Sequence, residues 1–298
     1  MSSRRAQTLA SALLVLVTAV WGSTFVLIRD LVATVPPADL LAVRFAVAAV
    51  AMVVLFWGPL RALGRAEVGA ALALGGLYGV AQILQTTGLA HTDASVSGFV
   101  TGTYVVLTPV LSALLLRERV GASTWGAVLL ATLGLGVLAL RGLSIGVGEA
   151  LTLASAGLYA LHIVGLGQYS TAARATGMSA VQMLVVAGVS ALAAIPDGLV
   201  LPGTPGQWAV VLYLATAAGV LALWAQTWAQ ARLAATRAAI VMTLEPVFAA
   251  GFAVALGGES LTGRMVAGGA LILAAMYLVE LVGRRGDRPD PEVLHHEV

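Results

Sequence analysis

The sequence predicts an all-α membrane protein with ten transmembrane helices, arranged as two inverted five-helix repeats. Of its 298 residues, 59% are hydrophobic and only 10% are charged, and the mean hydropathy is +0.96. Soluble domains are about 45–50% apolar and about 25% charged. Apolar runs of about 20 residues, long enough to cross a hydrocarbon core, recur along the whole chain. A third observation, an internal sequence repeat, predicts the arrangement.

Charged residues and turns rich in proline or glycine divide the chain into ten apolar segments. The predicted spans, with ends placed to within a few residues, are 8–28, 38–58, 68–88, 95–116, 124–141, 149–169, 178–196, 208–230, 237–257 and 264–283. The first span resembles a secretory signal in its two arginines and its apolar run. That run continues to Ile28 without an A-x-A cleavage site, so we expect a retained span.

The arginines orient these spans. All 16 basic residues are arginine, and with a cytoplasmic amino terminus 12 of them fall in inner segments. The outer loops hold Arg29, Arg141 and Arg264, and Arg44 lies within the second span. The positive-inside rule therefore predicts that both termini are cytoplasmic. The preference for arginine suits a GC-rich bacterial genome, so we expect the inner membrane of a bacterium. Charge in short loops indicates membrane orientation, not nucleic-acid binding.

The residue types exclude several kinds of chemistry. The absence of cysteine excludes disulfides, thiol catalysis and cysteine-ligated metals. There is no G-x-S-x-G or H-E-x-x-H motif, and His162, the one histidine within a predicted span, has no carboxylate at helical spacing. We therefore predict a protein that is not an enzyme and has no cofactor or bound metal.

The two halves of the chain share a sequence pattern. The segment QTTGLAHTDAS, which begins at Gln85, reappears as QTWAQARLAAT, which begins at Gln226. Extending this alignment towards the amino terminus places Arg44 opposite Gln182. Each half holds five spans, and an odd number makes the second copy enter the membrane from the opposite side. The predicted units are a first repeat over 1–145, a second over 146–285 and a mobile cytoplasmic tail over 286–298.

Four segments resemble a known transporter family. They are VWGSTF in the first span, PADLLAVRF in the second, FVTGTYVVLTPVLSALLLRERV in the fourth and IVMTLEPVFAAGFAVALGGESLTG in the ninth. They resemble the EamA type of the drug/metabolite transporter superfamily. Within that superfamily, the chain is similar to the ten-helix amino acid exporters of the YddG type. The resemblance implies ten transmembrane helices, a central cavity between the halves and export of small metabolites, and it leaves the substrate open.

Polar side chains within the spans predict where a substrate binds. Such side chains are costly in lipid, so they should face protein or water. In the third span Tyr78, Gln82 and Gln85 form one helical stripe, and similar stripes occur in the fourth and sixth spans. The predicted cavity residues are Trp21, Thr24, Tyr78, Gln82, Gln85, Thr101, Tyr104, Tyr159, His162, Gln226 and Glu245. The alternative is that the hydroxyl groups and His162 only join neighbouring helices through packing and hydrogen bonds.

Glu245 and Pro246 interrupt the apolar ninth span. A charged acid within a helix costs about 2.5–3.5 kcal/mol on insertion scales, and proline cannot donate a hydrogen bond to the carbonyl four residues earlier, here that of Met242. We predict that Pro246 bends the ninth helix, that Pro109 bends the fourth, and that Glu245 faces the cavity and exchanges a proton during transport. The alternative is that Glu245 only braces the fold.

Arg44 lies about two turns into the second span. It could attract a substrate carboxylate, but its position favours a side chain that extends to the membrane interface. The function that we predict is export of small amphipathic solutes, such as aromatic and hydrophobic amino acids, by alternating access in a monomer or homodimer. A carrier of a sugar, nucleobase or drug-like compound is the alternative on the same fold, followed by an intramembrane enzyme or a channel.

Overall fold

The computed structural model describes residues 3–117, 121–139, 146–196 and 198–286. Over these residues the chain is helical and contains no strands. The helices are α1 (Ser3–Val32), α2 (Pro37–Arg61), α3 (Arg65–Leu89), α4 (Ala94–Thr101), α5 (Tyr104–Leu116), α6 (Ala122–Ala139), α7 (Val147–Tyr169), α8 (Ala175–Ala194), α9 (Pro205–Ala215), α10 (Ala222–Gln230), α11 (Ala235–Met242), α12 (Leu244–Ala255) and α13 (Gly263–Gly286). The predicted tail beyond Gly286, together with Arg119 and Arg141, lies outside the described residues.

Among the described residues, eight helical segments are long and apolar enough to cross a membrane. They are Arg5–Val32, Pro37–Arg61, Arg65–Leu89, Ala94–Leu116, Val147–Tyr169, Ala175–Ala194, Pro205–Gln230 and Ala235–Ala255. The fifth and tenth predicted spans coincide with α6 and α13, whose apolar stretches are shorter. The chain is therefore an all-α, multi-pass membrane protein, and the count of ten spans stays a prediction.

Besides α2, which is kinked at Phe56, three of the crossing segments in the described part of the chain are not continuous α-helices. One is interrupted between α4 and α5 at Gly102 and Thr103, and another between α11 and α12 at Thr243. The third contains a π-helical turn, Thr216–Leu221, between α9 and α10. Such turns are often found at functional sites. All three irregular segments thus fall within spans, where a break in backbone hydrogen bonding is tolerated only beside protein or a water-filled cavity.

The two prolines predicted to bend helices lie on the first two of these spans. Pro246 is in the first turn of α12, directly after the interruption at Thr243. Pro109 lies further along, inside α5, and the interruption of that span comes earlier, at Gly102 and Thr103. The bending role of both prolines stays a prediction.

Helices of the first half pack mainly against helices of the second. α2 packs along α8, α3 along α7 and α8, α1 along α12 and α10, and α6 along α13. Where α3 crosses α7, a Cβ added to Gly88 would lie 2.7 Å from the carbonyl oxygen of Gly148, and one added to Gly148 would lie 2.8 Å from that of Gly88. Glycine at both positions therefore lets the two backbones touch, as small residues do in membrane helix pairs.

Candidate functional site

A cavity lies between the two sets of helices. It contains about 560 Å³ of space between protein atoms, open solvent at its mouth included. All of the predicted substrate-binding residues line it: Trp21, Thr24, Tyr78, Gln82, Gln85, Thr101, Tyr104, Tyr159, His162, Gln226 and Glu245. The rest of the wall is formed by Phe25, Ile28, Arg44, Ile163, Ala218 and Met242. The structure thus brings these side chains together, and their role in binding stays a prediction.

Aromatic side chains of α3 and α7 form one wall of the cavity. The ring of Tyr78 lies 5.7 Å from that of Tyr159 and 5.0 Å from the imidazole of His162, measured between ring centroids. All three side chains are at least nine-tenths buried. Tyr159 and His162 are one helical turn apart on α7, so both rings can face Tyr78 across the α3–α7 contact.

His162 is held from the side of α8. Its Nε2 lies 2.8 Å from Oε1 of Gln182, while Nε2 of Gln182 donates to the carbonyl oxygen of Met178 at 3.3 Å. Since that second bond assigns the amide oxygen to the histidine, the Nε2 atom of His162 is the donor, an assignment from the hydrogen-bond network. His162 therefore both packs in the interior and contributes its ring to the cavity.

Gln85 joins three helices. Its Nε2 donates to Oγ1 of Thr101 on α4 at 3.0 Å, and its Oε1 accepts from the hydroxyl of Tyr159 on α7 at 2.8 Å. Both ends of the amide are thus engaged by protein groups. Gln85 itself is only partly buried.

Tyr104 links α5 to the interruption between α11 and α12. Its hydroxyl donates to the carbonyl oxygen of Met242 at 2.6 Å and lies 3.3 Å from Oε2 of Glu245. Pro246 has no N–H with which to reach the Met242 carbonyl, so the tyrosine supplies a donor that the helix lacks. Glu245 is 6% exposed and lines the cavity beside this contact.

The prediction that Arg44 extends to the membrane interface is wrong. Arg44 is 4% exposed and lines the cavity. Its Nη2 donates to Oε1 of Gln82, and its guanidinium lies 4.3 Å from the centroid of the Phe45 ring. The physical reason is that α2 packs along α8, so a residue in its interior-facing side is enclosed by protein. The alignment of Arg44 with Gln182, a buried residue beside the cavity, was the sequence signal that could have found it.

Trp21 and Gln226 line the cavity from α1 and α10. The indole Nε1 of Trp21 donates to the carbonyl oxygen of Ala218, in the π-helical turn, at 3.0 Å. Gln226 is 1% exposed, and its Nε2 lies 4.0 Å from the sulfur of Met242. Within the described part of the chain, Oε1 of Gln226 has no hydrogen-bond partner. The π-helical turn thus orients Trp21, while one side of the Gln226 amide remains available.

The cavity presents charged groups without a metal-binding arrangement. Among the residues that the structure describes, no group of three or more histidine, cysteine, aspartate or glutamate side chains could hold a metal ion. The wall instead offers one guanidinium, from Arg44, one carboxyl group, from Glu245, and several hydroxyl and amide groups. Such a set suits reversible binding of a small molecule that has both polar and aromatic or aliphatic parts.

Comparisons with known proteins agree with a transporter fold. The family model described as the EamA-like transporter family matches residues 8–140 and again residues 146–281. An uncharacterized transporter of Archaeoglobus fulgidus is 30% identical over 269 residues, which cover 90% of this chain and 84% of the relative. A solved crystal structure superposes with a TM-score of 0.76 at 21% identity, over 94% of this chain and 99% of the other. At that identity the superposition shows a shared fold alone.

Proposed function

Since the chain belongs to the EamA-like transporter family, and is therefore a membrane transporter, we propose that it exports small metabolites, foremost aromatic and hydrophobic amino acids, from the cytoplasm. The family is one of transporters and not a class of enzymes. The proposal extends the family assignment to a substrate class and to a direction of transport.

The observation that carries the proposal is the cavity. Its walls combine residues of both halves, such as Arg44 and Tyr78 from the first and Tyr159, Gln226 and Glu245 from the second. Polar side chains within membrane helices are expensive and typically mark a substrate pathway. Aromatic rings and amides accommodate side chains of different shapes, which suits a carrier of several related amino acids.

We propose alternating access between two inverted repeats of five spans each, over residues 1–145 and 146–285. The two regions matched by the family model support two similar halves. The packing is also consistent with two equivalent halves. If α7 corresponds to α1, α8 to α2 and α10 to α3, then the contact of α3 with α7 matches that of α10 with α1, and α2 packs on its own counterpart, α8. Halves of the same shape can rock about a site in the middle of the membrane and expose it to each side in turn.

The proposed setting is a bacterial inner membrane, with both termini in the cytoplasm and a monomer or homodimer as the working unit. This orientation is favoured because the arginines are more frequent in the segments assigned to the cytoplasmic side than in the outer loops. Fusing alkaline phosphatase or green fluorescent protein to the carboxyl terminus tests it. We expect the green fluorescent protein fusion to be fluorescent and the alkaline phosphatase fusion to be inactive. An active phosphatase fusion would place the carboxyl terminus outside the cytoplasm and contradict the proposed orientation.

Counterflow in proteoliposomes tests transport itself. Vesicles loaded with an unlabelled amino acid should take up the same labelled compound faster than empty vesicles, and uptake should saturate. A pore would show neither effect, and an intramembrane enzyme would convert the solute. Labelled sugars and nucleobases run beside the amino acids test the alternative substrates. Faster counterflow of one of these compounds than of every amino acid would replace the proposed substrate class.

We further propose that Glu245 couples transport to protons. Among the described residues that line the cavity, Glu245 is the one with a carboxyl group, and it is buried beside the Tyr104 hydroxyl and in the same cavity as Arg44. The wild-type protein should therefore accumulate substrate in response to a pH difference across the vesicle membrane. Glu245→Gln should still exchange substrate at concentrations high enough to offset weaker binding, but it should lose this response, because its side chain cannot release a proton. A variant that responds to the pH difference as the wild type does would leave Glu245 with a bracing role.

A further inference from the structure

Two oppositely charged residue types are buried in the same cavity. Arg44 on α2 is 4% exposed and Glu245 on α12 is 6% exposed, and both line the space between the halves. The described residues include ion pairs at Arg29 and Arg174, but none between Arg44 and Glu245. A buried charge without a counter-charge is costly. A ligand with one charge of each sign could therefore neutralise both groups at once.

We propose that Arg44 and Glu245 are the two poles of a zwitterion site, in which Arg44 binds the carboxylate of a free α-amino acid and Glu245, with Gln226, binds its ammonium group. This inference rests on the proposed function and defines which chemical groups of the substrate are recognised. It predicts that amines, carboxylic acids, sugars and nucleobases, which lack one or both charges, bind weakly at this site.

The carboxylate pole is formed by Arg44. A guanidinium has five N–H donors, and here Nη2 donates to Gln82 Oε1 while Nε has no hydrogen-bond partner within the described residues. An unpaired donor that is nine-tenths buried costs free energy until a partner arrives. Because the guanidinium fork matches a carboxylate in two parallel hydrogen bonds, a substrate carboxylate can satisfy donors that the protein leaves unpaired.

The ammonium pole lies around Met242. Tyr104 donates to the Met242 carbonyl oxygen and lies beside Glu245, and the amide nitrogen of Gln226 lies near the Met242 sulfur. Oε1 of Gln226 is buried without a partner in the described part of the chain. An ammonium group has three donors and no acceptor. The carboxylate of Glu245 and the amide oxygen of Gln226 are acceptors of the kind that it requires.

The poles belong to different halves of the molecule. Arg44 and Gln82 come from α2 and α3, whereas Gln226 and Glu245 come from α10 and α12. A zwitterion that contacts both poles thus bridges the two groups of helices, while an amine or an acid contacts only one. Aromatic rings from Tyr78 and Tyr159 lie in the same cavity, where a substrate side chain can pack against them.

Binding of phenylalanine and two of its analogues tests the proposal. Phenethylamine lacks the carboxylate and 3-phenylpropanoate lacks the ammonium group, while the ring is unchanged. Purified protein in detergent is titrated with each compound, and the rise in unfolding temperature gives the apparent affinity. The wild type should bind phenylalanine at least about tenfold more tightly than either analogue, as expected for hydrogen bonds to charged groups. Equal affinity for phenylalanine and either analogue would overturn the zwitterion site.

Two variants assign the poles. Arg44→Gln should lower the affinity for phenylalanine to about that for phenethylamine and leave phenethylamine binding within about threefold of the wild type. Glu245→Gln should lower the affinity for phenylalanine to about that for 3-phenylpropanoate, and it should leave the binding of 3-phenylpropanoate unchanged. Ser190→Ala is the matched control, because Ser190 is a buried polar residue of α8 outside the cavity. A variant that weakens all three compounds equally would contradict the assignment of its pole.

Failure of the zwitterion site can be separated from failure of the proposed function. If the wild type discriminates among the three compounds but shows no counterflow of phenylalanine, the binding site stands and the proposed export of aromatic amino acids is wrong. If it shows counterflow without discrimination, transport stands and the site is wrong. If Arg44→Gln does not fold, Arg44→Lys replaces it, because lysine keeps the positive charge but lacks the planar guanidinium. This variant should keep part of the preference for phenylalanine over phenethylamine. A folded Arg44→Lys protein without that preference would contradict the role of Arg44 as the carboxylate pole. The wild-type measurement needs no variant.

Discussion

Two glutamines at matching places in the sequence repeat, Gln85 and Gln226, have different surroundings. The Nε2 atom of each lies near a side chain 16 positions further along the chain, Thr101 for Gln85 and Met242 for Gln226. Each of these partners is the last residue of a helix that ends at an interruption. Gln85 has hydrogen bonds at both ends of its amide, whereas Gln226 has a weak sulfur contact and an oxygen without a partner in the described residues.

The difference separates a structural role from a binding role. A satisfied amide holds neighbouring helices in place, and loss of the amide leaves its partners unpaired. A buried acceptor without a partner destabilises the fold, and a hydrogen bond from a bound ligand removes that cost. We therefore infer that the first half uses its glutamine to brace α3, α4 and α7, and that the second half keeps its glutamine for the substrate. Four substitutions test this difference.

The largest effect on stability is expected for Gln85→Leu. The change removes both hydrogen bonds and leaves the hydroxyls of Thr101 and Tyr159 without their partner. Unpaired buried groups cost about 1–3 kcal/mol, although hydrogen bonds between membrane helices average about 0.6 kcal/mol. The free energy of unfolding in detergent should fall by about 1–3 kcal/mol. Wild-type stability would contradict the bracing role.

Tyr104→Phe should have the next largest effect. The phenylalanine ring keeps the packing but removes the hydroxyl that donates to the Met242 carbonyl, which Pro246 cannot reach. We expect a loss of about 1 kcal/mol in the free energy of unfolding. Tyr169→Phe is the control, because Tyr169 is 58% exposed, and it should leave stability unchanged. If both variants lose the same amount, the Met242 contact does not stabilise the interruption.

The position of these side chains was predictable from sequence, whereas their partners were not. Spacing along α3 placed Tyr78, Gln82 and Gln85 on one face because helical geometry follows from sequence number. Whether an amide is satisfied depends on atoms of other helices, so Gln85 and Gln226 gave the same prediction. Arg44 was misplaced because distance from a span end does not reveal which side of the helix faces protein.

The irregular backbone was also hidden from the sequence. Pro109 and Pro246 drew attention to the fourth and ninth spans, yet the interruptions lie at Gly102 and Thr103 and at Thr243. The π-helical turn in the eighth span, TAAGVL, contains no proline and offers no local signal. The turn packs against α2 and α1, and Trp21 of α1 bonds to its Ala218, and these contacts are all tertiary.

Thr101→Val separates the two bonds of Gln85. Valine has a similar shape and removes only the hydroxyl that accepts from Gln85, so the bond to Tyr159 remains. We expect a loss of about 0.6 kcal/mol in the free energy of unfolding, the average for such bonds. The double variant Thr101→Val with Gln85→Leu should lose less free energy of unfolding than the sum of the two single losses, because both substitutions remove the same bond. Full additivity would show that Gln85 and Thr101 do not interact.

The smallest effect on stability is expected for Gln226→Leu, the same substitution at the matching position. Leucine replaces a buried amide whose oxygen has no partner in the described residues, so the free energy of unfolding should change by less than about 0.5 kcal/mol or rise. Phenylalanine affinity should nevertheless fall by about tenfold, because the ammonium group loses an acceptor. Gln85→Leu should show the opposite pattern, with a larger loss of stability than of affinity. If Gln226→Leu destabilises the protein as much as Gln85→Leu does, both glutamines are braces, and the available amide of the second half has no role in binding.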